Sequence, residues 1–244
     1  MINQRTVIIG ANSGIAKALV AQTSKNAEQG IIIISRNLSA YTDTEPARVH
    51  KIEVNDYTER SIAAAVDSID KFNTLPINQV FICHGILHTK NIFPEKRLED
   101  FDPQAFLEVI TANALTPLLW LKALTPILTS KNCCKIAVFS ARVGSIKDNK
   151  LGGWYSYRAS KAALNMLLKT ATIELVRRAK NIKVISFHPG TTDTPLSKPF
   201  HKNVPDEKLF TCEFVAKQLL LIMKNTSMDN TLSYIDWQGK TIDW

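Results

Sequence analysis

The chain has 244 residues, 45% of them hydrophobic and 21% charged, an ordinary composition for one globular domain spanning residues 1–244. No apolar run reaches the roughly 20 residues of a membrane span, and the N-terminus lacks the apolar core of a signal peptide, so we expect a cytoplasmic protein. The net charge is +8, but lysine and arginine are scattered without a dense basic block, which favours a phosphorylated cofactor over nucleic acid.

The first predicted element is a short buried strand, Thr6–Gly10, which leads into the glycine-rich turn Gly10–Ala16 and a helix. Gly10 permits a tight turn, and Gly14 allows backbone to approach a pyrophosphate. The helix N-terminus adds free N–H groups and the positive end of a dipole. This arrangement predicts a phosphate-binding turn made of Gly10, Asn12, Ser13, Gly14 and Ile15.

The next predicted strand, Ile31–Ile34, is β-branched throughout, as is typical of a parallel strand buried on both faces. Ser35 and Arg36 follow it, where an acid would indicate NAD and an arginine indicates the extra phosphate of NADP. The sequence therefore predicts NADP(H). The alternative is that Arg36 is only a solvated loop residue.

Two further segments are predicted to border the cofactor. Asp56 and Tyr57 lie between a strand end and a helix start, where Asp56 or Thr58 can cap the helix and Asp56 can reach the adenine amino group. A buried strand then begins at Val80 and runs into a turn that brings backbone near the cofactor. That turn contains Cys83, His84 and Gly85.

Residues 101–130 carry helical spacing, with Pro103 suited to a first turn. We expect Pro117 and Pro126 to kink or end this helix. Asn113 is a polar residue within an otherwise apolar stretch of it.

A fifth strand, Ile136–Ser140, precedes a helix that bears Tyr157 and Lys161. Residues four apart share a helix face, so the lysine would favour the phenolate and lower the pKa of the tyrosine from its usual value of about 10. Such a tyrosine can exchange a proton with a carbonyl or carbinol oxygen. A tyrosine and lysine at this spacing also occur on helices without any such role.

The remaining elements are a sixth strand, Val184–Phe187, a polar lid-like loop over residues 195–205, a helix over 213–224 and a last strand, Leu232–Ile235. Strands and helices alternate along the chain. This order predicts an α/β fold, a doubly wound parallel sheet of Rossmann type with helices on both faces.

The four cysteines predict neither disulfides nor a metal centre. None is in a C-x-x-C pair, and two are adjacent, which suits neither kind of site. They are Cys83, Cys133, Cys134 and Cys212.

Taken together and in this order, these motifs resemble those of the short-chain dehydrogenase/reductase family over essentially the whole chain. The motifs are the glycine-rich turn, Asn113, Tyr157 with Lys161, and Pro189-Gly190 with Thr194 beyond. The segment from Gly152 to Asn165 is most similar to the branch of C-factor-like signalling proteins and sniffer-like carbonyl reductases.

The resemblance implies roles for these residues. Tyr157 would be the general acid in carbonyl reduction. Lys161 would hold the nicotinamide ribose and lower the tyrosine pKa, while Asn113 would anchor a water that relays protons. The resemblance also implies a homodimer or homotetramer and a small carbonyl or alcohol substrate. The pyrophosphate and nicotinamide amide would be bound around Pro189, Gly190, Thr191, Thr192 and Thr194.

The chain departs from the family pattern at two places. Cys83-His84-Gly85 replaces the usual Asn-Ala-Gly. His84 is then either a loop histidine that supports the adenosine side of the cofactor site or an extra acid–base group. Ala141 occupies the position of the catalytic serine. Ser140 and then Ser145 are candidates for the missing hydroxyl, although strand alternation turns Ser140 to the other face, and the alternative is that neither takes part.

The sequence therefore predicts an NADP(H)-dependent oxidoreductase that interconverts a carbonyl and an alcohol. The alternative is a cofactor-binding sensor or signalling protein of the same fold with little turnover, which Ala141 favours. A nucleic-acid-binding protein is a third hypothesis that only the positive charge supports.

Overall fold

The computed structural model describes residues 1–42 and 48–244, and its centre is a parallel sheet of seven strands. The strands are β1 Gln4–Ile9, β2 Gln29–Ser35, β3 Val49–Glu53, β4 Ile77–Ile82, β5 Cys134–Phe139, β6 Ile182–His188 and β9 Ser233–Asp236. Their order across the sheet is β3-β2-β1-β4-β5-β6-β9, so the chain winds outward in both directions from β1. A separate pair, β7 Thr191–Thr192 and β8 Leu209–Phe210, follows the end of β6.

Helices cover both faces of the sheet, which confirms the predicted fold class. The helices are α1 Gly14–Thr23, α2 Glu59–Phe72, α3 Pro103–Ile110, α4 Thr116–Leu128, α5 Tyr155–Arg178 and α6 Cys212–Asn225. Buried side chains of α2, α4 and α5 pack on one face, and those of α1 and α6 pack on the other.

Strand β2 shows why an unbroken β-branched run belongs at the centre of this fold. Ile32 and Ile34 pack under α2, α4 and α5, whereas Ile31 and Ile33 pack under α1 and α6. All four are almost completely buried. A strand with helices on both faces has no solvent-exposed side, so its sequence does not alternate.

Pro117 does not end the helix that was predicted over residues 101–130. A π-helical turn, Thr111–Leu115, joins α3 to α4, and Thr116 N–H donates to the carbonyl five residues earlier, that of Thr111. Proline lacks an N–H and its ring crowds the carbonyl four residues back, so a widened turn just before Pro117 accommodates it. Pro126 lies inside the last turns of α4 without breaking it.

Because the helix continues through Pro117, it extends over most of the segment 101–130 that carries helical spacing. Among the described residues, Pro103–Leu128 is one helix long and apolar enough to cross a membrane by length and composition, with mean hydropathy 1.2 in its most apolar window. Trp120, Leu121, Leu124 and Leu128 of this helix are buried in the core against the sheet. We therefore interpret it as a core helix.

Candidate active site

A cavity of about 1380 Å³ opens beyond the carboxyl ends of β1, β2 and β4. This is the position where the chain reverses its winding direction, and ligands of doubly wound sheets bind at such positions. Nine of the residues predicted to hold a cofactor line the cavity. They are Gly10, Asn12, Ser13, Ser35, Arg36, Tyr57, Cys83, His84 and Gly85.

The turn after β1 has the geometry of a phosphate cradle. Gly10 has φ +74°, and a Cβ there would lie 3.0 Å from the Cys83 carbonyl oxygen, so only glycine suits the position. Ser13 caps α1, because its hydroxyl accepts a hydrogen bond from Ala16 N–H at 3.3 Å. A Cβ at Gly14 would lie 2.9 Å from Cys212 Sγ. The turn therefore leaves a backbone surface at a helix N-terminus, which fits a pyrophosphate.

Three side chains pack together on the side of the cavity expected to bind adenosine. The guanidinium carbon of Arg36 lies 5.1 Å from the ring centre of Tyr57, and the His84 ring lies 4.3 Å from it on an edge. Burial, with the charges of Arg36 and Lys161, lowers the pKa of His84 to about 3. His84 is thus neutral and unsuited to act as a base for a substrate. Its Nε2 has no hydrogen-bond partner among the described residues.

Asp56 is fully exposed and does not line this cavity. Its carboxylate accepts hydrogen bonds from the N–H and hydroxyl of Thr58 at 3.0 and 2.7 Å. Hydrogen bonds from Ser61 and Thr58 lower the pKa of Asp56. Of the two predicted caps of α2, Thr58 is the one that caps it. In this structure Asp56 orients that cap.

Asn113 is completely buried in the π-helical turn and ties three parts of the site together. Its amide accepts from Ile86 N–H at 2.7 Å and donates to the Ile86 carbonyl at 2.8 Å, so it fixes the turn after β4. It also donates to the hydroxyl of Ser160 on α5 at 2.9 Å. A Cβ at Gly85 would lie 3.4 Å from Asn113 Oδ1 and 3.3 Å from Lys161 Nζ, so both side chains reach that glycine.

Tyr157 and Lys161 share a buried face of α5, as their spacing predicted. Lys161 Nζ lies 5.8 Å from the Tyr157 ring centre and donates to the Phe139 carbonyl at 2.8 Å. Burial raises the pKa of Tyr157, and burial lowers the pKa of Lys161 to about 7. The expected lowering of the tyrosine pKa by its lysine is therefore wrong for this structure. Desolvation disfavours the phenolate and the ammonium alike, and the charge of Tyr234 further raises the pKa of Tyr157.

Ser140 does not turn its hydroxyl toward Tyr157. It donates to Asn165 Oδ1 at 2.8 Å, and the same oxygen accepts from Ser186 at 2.7 Å. Ala141 is the residue that packs with Tyr157 and with Leu87. The geometry therefore goes against Ser140 as the replacement for the catalytic serine. The cause is strand alternation, which no bulge or bend overcomes here.

Ser145, the second candidate, lies buried in the loop after β5. Its hydroxyl accepts a hydrogen bond from Asp148 N–H at 3.1 Å.

A hydrogen bond from Tyr234 fixes the Ala141 backbone, because the buried Tyr234 hydroxyl donates to the Ala141 carbonyl at 2.7 Å. The methyl group of Ala141 is thus held at the position expected for a reacting hydroxyl.

An apolar wall surrounds the Tyr157 side chain. Leu87, Ala141 and Tyr157 form a buried cluster, against which Val143, Trp154, Leu196 and Phe200 pack. The Trp154 ring centre lies 6.2 Å from that of Tyr157 and 4.9 Å from that of Phe200. The motifs do not indicate this wall, because its members come from three separate loops and from α5. Only the aromatic and aliphatic character of the segments around them could have indicated it.

Residues 195–205, here called the strap, lie over Tyr157 as the predicted lid would. The strap contains a 3₁₀-helix, Lys198–Asn203. Ser197 donates to the Thr192 carbonyl and exchanges a hydrogen bond with His201 at 2.8 Å. The Pro195 carbonyl lies 3.2 Å from His88 Nε2.

The segment after β6 does not contribute to the lining of the large cavity. Gly190 has φ +74°, and a Cβ there would lie 2.6 Å from the Phe210 ring, so the turn needs a glycine. The Thr192 hydroxyl is buried without a hydrogen-bond partner among the described residues, and that of Thr194 donates to the Thr192 carbonyl at 3.3 Å. Pro189, Gly190, Thr191, Thr192 and Thr194 do not line the cavity, and neither do Gly14, Ile15, Tyr157 and Lys161.

Comparison with known proteins agrees with this arrangement. The family model described as short chain dehydrogenase matches residues 4–205, so this chain belongs to the short-chain dehydrogenase family. The C-signal protein of Myxococcus xanthus is 30% identical over 147 residues, which are 60% of this chain and 83% of that protein. The family and branch predicted from the motifs are confirmed.

Two solved structures share the fold over the full length of both chains. The carbonyl reductase Sniffer of D. melanogaster has a TM-score of 0.84 and 21% identity, covering 100% of each chain. An NADPH-bound carbonyl reductase from chicken fatty liver has the same TM-score, identity and coverage. At this identity the likeness concerns the fold.

Proposed function

We propose that this protein is an NADP(H)-dependent oxidoreductase that interconverts a carbonyl and an alcohol, with Tyr157 as the general acid and base. One observation carries the proposal: Tyr157, Lys161 and Asn113 converge at the strand ends, beside a glycine cradle that fits a pyrophosphate. The NADPH-bound chicken enzyme and the Sniffer reductase, which share the fold, support the same reaction class.

The bound cofactor supplies or accepts the hydride, and the protein controls geometry and protons. Tyr157 gives its proton to the carbonyl oxygen during reduction and takes it back during oxidation. Lys161 holds the nicotinamide ribose, and Asn113 anchors a water that returns protons from solvent. The shared contact of Lys161 and Asn113 with Gly85 supports this division of roles.

The preference for NADP(H) rests on the end of β2. Arg36 is exposed at the rim of the cavity, and Ser35 ends β2 where an acid would indicate NAD. Stacking on Tyr57 holds the guanidinium in place for bidentate phosphate contacts.

The wall around Tyr157 supports a small or medium-sized apolar substrate. Leu87, Trp154 and Phe200 offer aliphatic and aromatic surface. Carbonyl compounds with aromatic or aliphatic substituents fit such a surface, whereas charged ones would lose hydration without gaining a partner.

We also propose a homodimer or homotetramer located in the cytoplasm. On α5, the exposed apolar side chains of Met166 and Ile173 are seven residues apart and therefore share a face. Light scattering coupled to size exclusion would measure the assembly, and a monomer at micromolar concentration would contradict it.

A second candidate function is a cofactor-binding sensor or signalling protein. The Ala141 methyl at the position expected for a hydroxyl donor favours it, because losing one such donor costs other enzymes about 10²–10³ in rate. The 30% identity to C-signal gives it a further basis. The intact set of Tyr157, Lys161 and Asn113 weighs toward the enzyme.

The deciding experiment measures NADPH oxidation against quinones, aldehydes and ketones, with NADPH and NADH binding titrated in parallel by fluorescence. Tyr157→Phe should lower turnover by about 10²–10⁴ while leaving NADPH affinity nearly unchanged. Tyr155→Phe is the matched control, since Tyr155 is 37% exposed at the start of the same helix. Tight NADPH binding without turnover would favour the sensor, and equal turnover by wild type and Tyr157→Phe would disprove the mechanism.

A further inference from the structure

The helix that carries Tyr157 begins without a cap of its own. Helix α5 starts at Tyr155, and the residue before it, Trp154, has φ 54° and no side-chain hydrogen bond to the first turn. The first N–H groups of a helix have no partner within the helix and must find one elsewhere when they are buried. Some other part of the chain must therefore supply the acceptor.

Glu95, from the loop after β4, supplies it. Its side chain is buried, with the residue only 5% exposed, and both carboxylate oxygens lie 3.2 Å from Ser156 N. The Ser156 hydroxyl also donates to this carboxylate. A carboxylate at the positive end of a helix dipole, accepting several hydrogen bonds, is a stable way to bury a negative charge.

The backbone of Glu95 makes a second attachment to the same point. Its carbonyl accepts from Trp154 N–H at 2.5 Å. Gly153 has φ +65°, and a Cβ there would lie 3.3 Å from that carbonyl oxygen. The approach to α5 thus fits closely against Glu95, although 61 residues separate Glu95 from Ser156 in sequence.

Both attachments act next to reacting groups. Ser156 directly precedes Tyr157, and the Trp154 ring forms the apolar wall 6.2 Å from the Tyr157 ring centre. On the other side, Asn113 bonds Ser160, whose hydroxyl donates to the Tyr157 carbonyl at 2.8 Å. The helical turn that bears Tyr157 is therefore held at two points. Glu95 holds it at the start of α5, and Asn113 holds it through Ser160.

We propose that Glu95 is a positioning residue for the reaction: its buried carboxylate replaces the missing cap of α5 and sets the position of Tyr157 and Trp154. The inference deepens the proposed function and rests on it. Glu95 acts through Ser156 and Trp154.

Removing the carboxylate should lower the rate more than it lowers cofactor binding. A displacement of about 1 Å in a reacting group can cost about 10² in rate, so we expect Glu95→Ala to lower kcat by about 10². The cradle at Gly10 and the stack on Tyr57 lie on other elements, so NADPH affinity should change less than about threefold. Glu95→Gln keeps an acceptor for Ser156 and should recover part of the lost kcat.

The experiment compares wild type, Glu95→Ala and Glu95→Gln, with the exposed Glu99→Ala as the matched control. It measures kcat per NADPH-binding site, counted by fluorescence titration, so that loss of folded protein does not count as loss of rate. It also measures hydrogen–deuterium exchange of the peptide covering residues 153–160. If Glu95→Ala does not fold, Ser156→Ala, which keeps the carboxylate, should still lower kcat severalfold and speed this exchange.

Lower kcat with unchanged NADPH affinity, partial recovery in Glu95→Gln and faster exchange would support the proposal. Wild-type kcat in Glu95→Ala, or equal loss in Glu95→Ala and Glu99→Ala, would overturn it. A wild type that reduces no carbonyl would instead count against the proposed function. In that case hydrogen–deuterium exchange alone tests whether Glu95 holds the start of α5. Unchanged exchange in Glu95→Ala would overturn that claim as well.

Discussion

The two halves of the site differ in their exposure to solvent. The half expected to bind adenosine is an open cavity whose polar and aromatic lining includes Arg36, Tyr57 and His84. The half around Tyr157 is buried, apolar and covered by the strap, with Phe200 against Trp154. The difference indicates that affinity and chemistry depend on separate residues, so substitutions in one half should leave the function of the other nearly intact.

The largest expected effect is in the pH dependence, and it belongs to the closed half alone. Burial raises the pKa of Tyr157, so the phenol stays protonated at neutral pH. Carbonyl reduction needs that proton, so ionisation of Tyr157 should not limit reduction around neutrality. Alcohol oxidation needs the phenolate and should accelerate about tenfold per pH unit until the raised pKa is reached.

Initial rates in both directions between about pH 6 and pH 10 would check this, with NADPH and NADP⁺ affinities measured at each pH. An oxidation rate that is already constant at pH 7 would show that the tyrosine ionises far more easily than its burial implies.

Ala141→Ser should have the second-largest effect. The new hydroxyl would face Tyr157 and Leu87, the neighbours of the present methyl group. A donor restored next to a developing oxyanion should raise kcat by up to about 10² without altering NADPH affinity.

Ser140→Ala is the companion variant, because it removes the hydroxyl that donates to Asn165. It should lower the free energy of unfolding by about 0.5–1.5 kcal/mol, because Asn165 Oδ1 keeps its hydrogen bond from Ser186, and it should leave kcat unchanged. A large fall of kcat in Ser140→Ala would mean that this hydroxyl does reach the substrate.

Arg36→Ala tests the open half. Loss of the guanidinium over Tyr57 should weaken NADPH binding about tenfold to a hundredfold, leave NADH binding nearly unchanged and preserve kcat at saturating cofactor. Fluorescence titration of both cofactors measures the change. Arg177→Ala, at the exposed far end of α5, is the control. An unaltered preference between NADPH and NADH would refute the cofactor assignment.

The smallest expected effect is that of Phe200→Ala in the strap. The truncated side chain removes surface from the wall near Trp154, so KM for an apolar carbonyl should rise severalfold while kcat changes little. Phe101→Ala, at a 40% exposed position, serves as the control. A changed NADPH affinity with an unchanged KM for the carbonyl would mean that the strap belongs functionally to the cofactor half.

Much of the fold could be predicted because its determinants are local. The isoleucine run of β2, the glycine turn at Gly10 and the spacing of Tyr157 and Lys161 each appear within a few residues. Their order along the chain was enough to identify the winding of the sheet and the family.

What could not be predicted depends on contacts between distant residues. Glu95 binds Ser156 although 61 positions separate them in sequence, and no short motif indicates this contact. The direction of the Tyr157 pKa shift was misjudged for the same reason, because burial comes from the strap and the loops around Leu87, whereas the Lys161 effect could be read from helix spacing. The side of the sheet to which the Ser140 hydroxyl points could be predicted, since the alternation of side chains along a strand is a local property.

The π-helical turn of Thr111–Leu115 has one further consequence, for the length of the chain. Such a turn is equivalent to one residue inserted into an α-helix, and each residue of an α-helix turns the chain by about 100°. Deleting Ala112 would allow a regular helix to form and would rotate one flank relative to the other. Either Asn113 would leave Ile86 and Ser160, or Trp120 and Leu124 would leave the core. This helix should therefore tolerate the exchange of a residue in the π-helical turn more readily than the loss of one.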